Sequence, residues 1–274
     1  MQLDLPKEFY ADANAQSNEH NGSAPQAALA SGDQQMVLKN VDVADSVALW
    51  KASGTGNELV VKLMLDKGVN VNAPRVGYNG SALHVASSGG FEKVVKLLLD
   101  NGADINAQDI VHGNALMSAS AGGHEPVVKL LLARGANVNA RSRNYDALSV
   151  ASEAGSEKVV KLLLDNGANV NAPGDKYGNA LQVASARGHA KVVKLLLDYG
   201  ADVDAPGTEY GNALQVASER GFDKVVKLLL GYGANVDAPG GQYGNALEAA
   251  EIGNHEKVLK LLLDKKSKSQ GQSV

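Results

Sequence analysis

Apolar and polar positions along the chain follow a long period: two short helical patterns, each closed by glycine, return about every 33 residues. The leucine of the Asn-Ala-Leu segment marks the register at Leu49, Leu83, Leu116, Leu148, Leu181, Leu214 and Leu247, in steps of 34, 33, 32, 33, 33 and 33. In one unit, Ala180 to Arg187 reads as a short helix of small and apolar residues, and Gly188 follows where a left-handed C-terminus is expected. A second helix is predicted from about His189 to Tyr199. Its Val192, Val193, Leu195, Leu196 and Leu197 leave it apolar around more than half its circumference, so it must be covered on both sides. Gly200, like Gly233 one repeat later, stops it, and an extended stretch leads into a turn. Asn114, Asn179, Asn212 and Asn245 stand where a side-chain oxygen caps the first helix, and Ser81 and Asp146 fill the same slot. Helices this short are marginal alone, so the copies are expected to stack, each touching only its neighbour.

The period, the helix–Gly–helix–Gly layout and the Gly-Ala-[Asp/Asn]-Val-[Asn/Asp]-Ala endings over residues 46–264 resemble the ankyrin repeat family. The resemblance implies an all-α fold, an ankyrin-repeat solenoid of about seven helix-turn-helix repeats joined by β-hairpin-like loops. The family's Thr-Pro-Leu-His-x-Ala signature is altered here. The slot reads Asn179-Ala180-Leu181-Gln182-Val183-Ala184, and only repeat two keeps the histidine, His84, in Ser81 to Ala86. That departure touches the hydrogen bonds of the family's threonine and histidine, not the architecture. The segment Tyr-Gly-Asn-Ala-Leu-[Gln/Glu]-x-Ala resembles the multi-repeat ankyrin proteins of filamentous fungi.

The ends depart from the frame. Residues 1–23 are polar and expected to be a disordered tail. Residues 24–45 read as a degenerate capping repeat, with Ala27 to Gly32 imitating a first helix and Met36-Val37-Leu38 a clipped second one. The repeat domain proper is assigned to 46–264, and 265–274 to a polar C-terminal tail rich in lysine. Inside the array, repeat four is one residue short before its cap and carries Arg141-Ser142-Arg143-Asn144-Tyr145, while Pro126 opens the second helix of repeat three, where proline is tolerated.

Composition narrows the function classes. Aromatics make up 4% of 274 residues, so the core must be aliphatic and rich in alanine. A net charge of -4 lacks the basic footprint of a nucleic-acid binder. The absence of cysteine removes disulfides, thiolate metal sites and cysteine nucleophiles, and suits an intracellular location, cytoplasmic or nuclear. Neither a signal peptide nor a membrane span is read, since apolar runs such as Val94 to Leu99 are short and broken by lysine. His124, His189 and His255 share one slot after a glycine, and His84 occupies the family's own histidine slot, so all four are expected to be structural. No lysine of a phosphate loop follows the glycines around Gly207, and Gly-x-Ser-x-Gly is absent. The chain is therefore read as a non-enzyme with no catalytic residue, no metal and no cofactor.

The resemblance implies a partner surface on the concave face, at the hairpin tips and the ends of the first helices, where residues vary while the frame stays fixed. Those positions are Ile110, Val111, Arg143 and Tyr145 at the tips, and Glu153, Arg187, Glu219 and Arg220 at the first-helix ends. Arg134, Tyr199 and Tyr232 precede the stop glycine of the second helix. Arg and Tyr are the types enriched at interface hot spots. The recurring Tyr177, Tyr210 and Tyr243 are read as packing instead. The expected function is a protein–protein interaction scaffold, monomeric, whose partner is another protein, with the arginines suggesting an acidic element, and neither nucleic acid nor membrane. A ligand-sensing or recognition module of a larger receptor-like assembly is the alternative. An enzyme built on the irregular repeats three and four ranks last.

Overall fold

A computed structural model describes residues 34–73, 80–109, 113–142, 145–174, 178–207 and 209–271. Fourteen helices and no strands occur among the described residues. The chain divides into two compact units, Met1–Asn137 and Val138–Val274. The first holds α1 (Gln34–Gly54), α2 (Glu58–Asp66), α3 (Ala82–Ser88), α4 (Glu92–Asp100), α5 (Ala115–Ala121) and α6 (Glu125–Ala133). The second holds α7 (Ala147–Glu153), α8 (Glu157–Asp165), α9 (Ala180–Ala186), α10 (Ala190–Asp198), α11 (Ala213–Glu219), α12 (Asp223–Gly231), α13 (Ala246–Ile252) and α14 (Glu256–Gly271).

Each pair is one repeat, and within each unit like packs on like. In the first unit α1, α3 and α5 stack in order, as do α2, α4 and α6. In the second, α7, α9, α11 and α13 form one stack and α8, α10, α12 and α14 the other. The register leucines from Leu49 to Leu214 are all at most 2% exposed. Val192, Val193 and Leu196 of α10 are buried to the same degree, and each such side chain contributes about 1.5–3 kcal/mol. The helix packs on α9, α8 and α12, which covers its apolar positions and leaves Lys191, Lys194 and Asp198 on an exposed side.

The six expected caps all form. Asn212 sits in extended backbone (φ −76°, ψ 177°) and its Oδ1 accepts the Gln215 N–H at 2.9 Å; Asn179, Asn114, Asn245, Asp146 and Ser81 do the same for their helices. Gly200 and Gly233 take the left-handed conformation at φ 85° and 95°, and Gly188 does so after the short helix at φ 74°. The loops carry isolated antiparallel bridges at Asp109 to Gly113 and Arg141 to Asp146.

The altered signature has a structural answer. Gln215, 1% exposed, accepts the Asn212 N–H on Oε1 at 2.9 Å and donates from Nε2 to the carbonyls of Ala238 (2.9 Å) and Gly244 (3.3 Å) in the next loop. Gln182 repeats this with Asn179 at 3.0 Å and Pro206 at 2.8 Å. His84 does it with an imidazole: Nδ1 accepts the Ser81 N–H at 3.3 Å, and Nε2 donates to Gly113 O at 2.7 Å. Glutamine and histidine thus serve one purpose, an acceptor for their own cap and a donor to the next loop. The loops are further linked by the second polar residue of their endings. Asn171 accepts the Asp202 N–H at 2.8 Å and donates to Gly200 O at 3.0 Å, whereas the Asp204 carboxylate, with no proton to donate, only accepts the Asn235 N–H at 2.9 Å.

The first and last helices run past the boundaries expected for them. Residues 1–33, holding the expected tail and the Ala27 to Gly32 helix, lie outside the described residues. Met36 to Leu38 do not form a separate clipped helix: α1 runs unbroken for 21 residues, because no glycine or proline interrupts residues 34–53. Likewise α14 continues to Gly271, carrying Lys265, Lys266 and Lys268 on its last turns, where lysine suits the helix dipole.

Two stability series follow. A Cβ on Gly200 would meet nothing within 4 Å, so Gly200→Ala should cost only the left-handed backbone term, about 1 kcal/mol in urea denaturation. A Cβ on Gly188 would lie 2.8 Å from the Phe222 ring, so Gly188→Ala should cost clearly more; equal costs would contradict this packing. His84→Gln should be tolerated, since both bonds can be remade. Gln215→Leu strands buried backbone groups and should cost roughly 2 kcal/mol or more.

Candidate partner-binding surface

A helix pair joined by three residues, as α7 and α8 are by Ala154, Gly155 and Ser156, must run antiparallel, so the C-terminal ends of its two helices lie at opposite ends of the pair. The expected site residues of the second unit therefore separate into two rows. Glu153, Arg187, Glu219 and Arg220 lie along the first-helix ends, and Tyr199 and Tyr232 along the second-helix ends.

The first row is internally paired. Arg187 Nη2 meets Glu153 Oε1 at 2.6 Å, with side chains 34% and 20% exposed. Arg220 donates from Nη1 to Ala186 O at 3.1 Å and pairs through Nε with Glu219 at 3.4 Å. Tyr243 borders the row; burial, then the Glu219 carboxylate, pushes its hydroxyl above the ordinary phenol range. Beneath lie the histidines. His189 and His255 each give Nε2 to a first-helix carbonyl of the preceding repeat, Glu153 and Glu219, both at 2.9 Å. In the first unit His124 reaches Ser88 O at 2.7 Å. Each imidazole thus holds one repeat to another.

The second row is a ladder. The Tyr199 hydroxyl donates to Asp165 and that of Tyr232 to Asp198. Each aspartate is also held by a lysine one turn back, Lys161 at 2.7 Å and Lys194 at 2.5 Å. Lys161 Nζ also stands 5.9 Å from the Tyr199 ring centre. The lysine bond, then the tyrosine bond, holds each aspartate below the usual carboxylate range. Asp198 in turn raises both Lys194 and Tyr232. In the first unit Arg134 does the equivalent, meeting Asp100 at 2.8 Å.

At the tips, Ile110, Val111 and Arg143 lie outside the described residues. Tyr145 is half-buried, its carbonyl accepting the Ser142 N–H at 2.9 Å, and Arg141 beside it donates to Pro173 O at 2.7 Å in the next loop. Among the described residues no group of three or more His, Asp or Glu could hold a metal ion, and no helix is long and apolar enough to cross a membrane. Sequence reasoning missed the partners of these rows. Arg134–Asp100, Arg187–Glu153, Tyr199–Asp165 and Tyr232–Asp198 are all 34 residues apart, one repeat plus one residue, a spacing that could have revealed them.

Stacked helix pairs with extended, glycine-bounded loops define a class of repeat protein, and the comparisons agree. The family model for ankyrin repeats matches three times, over residues 7–109, 111–174 and 183–273. The chain belongs to the ankyrin repeat family. Among solved structures it is similar to the human ASB11 ankyrin repeat domain, at 30% identity and a TM-score of 0.73, over 79% of this chain and 96% of that one. No curated protein matches it. Ankyrin repeats are in general protein–protein interaction modules, and typically not enzymes.

The ladder makes a titration prediction. Tyr232→Phe removes one of two donors to Asp198, so that carboxyl should titrate higher than in the parent yet stay below the usual range, because Lys194 remains. A depressed aspartate adds stability that is present above its unfolded pKa and lost as pH falls through the folded value. The variant should therefore lose less stability on acidification. Carbon-13 NMR of the Asp198 carboxyl reads the shift, and an unchanged midpoint would contradict the bond.

Proposed function

We propose that the chain is a protein-binding scaffold, acting as a single copy in an intracellular compartment, and that it receives its partner along the first-helix row of the second unit. Tyr145, in the same unit, is proposed to belong to that surface, and Ile110, Val111 and Arg143 are kept as further partner-binding positions proposed from the sequence alone. The observation that carries this reading is the row of Glu153, Arg187, Glu219 and Arg220, built on positions that vary between repeats and locked before any partner arrives. The residue after the short helix is Ala154, Arg187, Arg220 and Gly253 in successive repeats, while the leucines and caps beneath hardly change. Side chains already held in place bring less ordering cost to an interface. The row balances two arginines against two glutamates, so its partner is expected to be polar and mixed in charge rather than simply acidic. Arg134, Tyr199 and Tyr232 then serve to join repeats. Catalysis has no part in this proposal.

The test is affinity capture with the purified chain as bait. Partly exposed ion pairs of this kind contribute about 0–1 kcal/mol, so Arg187→Ala combined with Arg220→Ala should leave the melting transition nearly unchanged. The same variant should lose the protein that the parent captures. Undiminished capture of that protein by the folded variant would refute this placement.

A further inference from the structure

The exposed side of the second helices carries two lysines per repeat in most repeats, and in several repeats two kinds of acid pair with them. The first lysine meets a glutamate of the preceding repeat, Lys93 with Glu58 at 3.3 Å and Lys191 with Glu157 at 3.4 Å. The second meets an aspartate one turn on in its own helix, Lys161 with Asp165 and Lys194 with Asp198. Both acids are missing around α12. Ala190 stands where Glu157 stands one repeat earlier, and Gly231 stands where Asp198 does. Among the described residues Lys224 and Lys227 accordingly have no ion pair and no side-chain hydrogen bond, and both are exposed. The next helix, α14, packs on α12 and continues the columns with Lys257 and Lys260, which also lack an ion pair among the described residues.

From this geometry we infer that Lys224, Lys227, Lys257 and Lys260 form a second docking surface, separate from the first-helix row, for an acidic segment of a partner protein. Residues three apart on a helix are about 5–6 Å apart, and packed helices stand about 8–10 Å apart. The four ammonium groups thus spring from a small rectangle. A partner helix laid across it, with acids at i and i+7 about 10.5 Å apart, sets a carboxylate over each of α12 and α14. The chemistry favours a peptide over a membrane or nucleic acid. Asp223, Glu256 and Asp264 bound the patch and the chain is net -4, whereas those polyanions need a broad basic stripe. The two substitutions that leave Lys224 and Lys227 without partners also supply a control for those two lysines. A Cβ on Gly231 would meet nothing within 4 Å, so an aspartate fits there.

The experiment is fluorescence anisotropy at low salt, with the full chain titrated into fluorescein-labelled octaglutamate. Lys224→Glu with Lys227→Glu should weaken binding about tenfold or more. Ala190→Glu with Gly231→Asp keeps every lysine and gives Lys224 and Lys227 internal partners; it should weaken binding to a comparable degree. Lys93→Glu with Lys96→Glu makes the same change in net charge as the first variant and should leave affinity within about twofold. Circular dichroism confirms that each variant folds. No binding by the parent chain, equal binding by all variants, or stronger binding to phosphatidylserine-containing vesicles or single-stranded DNA than to octaglutamate would overturn the inference.

Discussion

The short helices α9 and α11 have seven residues each, about two turns, so most of their N–H and C=O groups have no partner inside the helix. In water such a segment does not persist. Asn179 and Asn212 satisfy one end, Gln182 and Gln215 complete the box, and the free half of each glutamine amide reaches the next loop. Local capping and repeat-to-repeat contact therefore reside in the same side chain. In these two repeats the side chain that completes the short helix also engages the repeat that follows.

This coupling explains what was legible in the sequence. Caps, stop glycines and register leucines act within a repeat or recur in one slot, so periodicity exposes them, and Asn212, Gly200 and Leu214 behave as read. The amide of Gln215 was not legible in that way, because periodicity shows which slots are equivalent and not which touch across the step. The offset of one repeat plus one residue, which brings Arg187 to Glu153 and Tyr232 to Asp198, arises from where one helix end meets the next. Variation at such positions looks the same from sequence whether the residue faces a neighbouring repeat or a partner. The continuity of α1 was missed for a different reason: its weakly apolar sequence has no stop signal, and a repeat frame was extended across it.

The polar chemistry of the two helix rows also differs. Along the first-helix ends, charges of both signs are half-buried and locked together. Along the second-helix side, pairs lie in the open, where screening leaves each one weak. An exposed pair can be lost at little cost in stability, so the second-helix side is free to change its charge pattern. The loss of both acids around α12 is a change of that kind.

The recurrence of bonds from one repeat to the next has a consequence for chain length. Tyr232 stands to Asp198 as Tyr199 to Asp165, and Arg220 fills the slot of Arg187, reaching the Ala186 carbonyl where Arg187 reaches the Glu153 carboxylate. Excising residues 180–212 would join Asn179 to Ala213 and hand Gln215 the cap that Gln182 had. Arg220 would then face Glu153 and Tyr232 would face Asp165, while the bond of His189 to the Glu153 carbonyl would lapse, with Phe222 taking its place. A whole repeat could thus be removed or added with few orphaned polar groups, so the array tolerates a change of length in steps of one repeat.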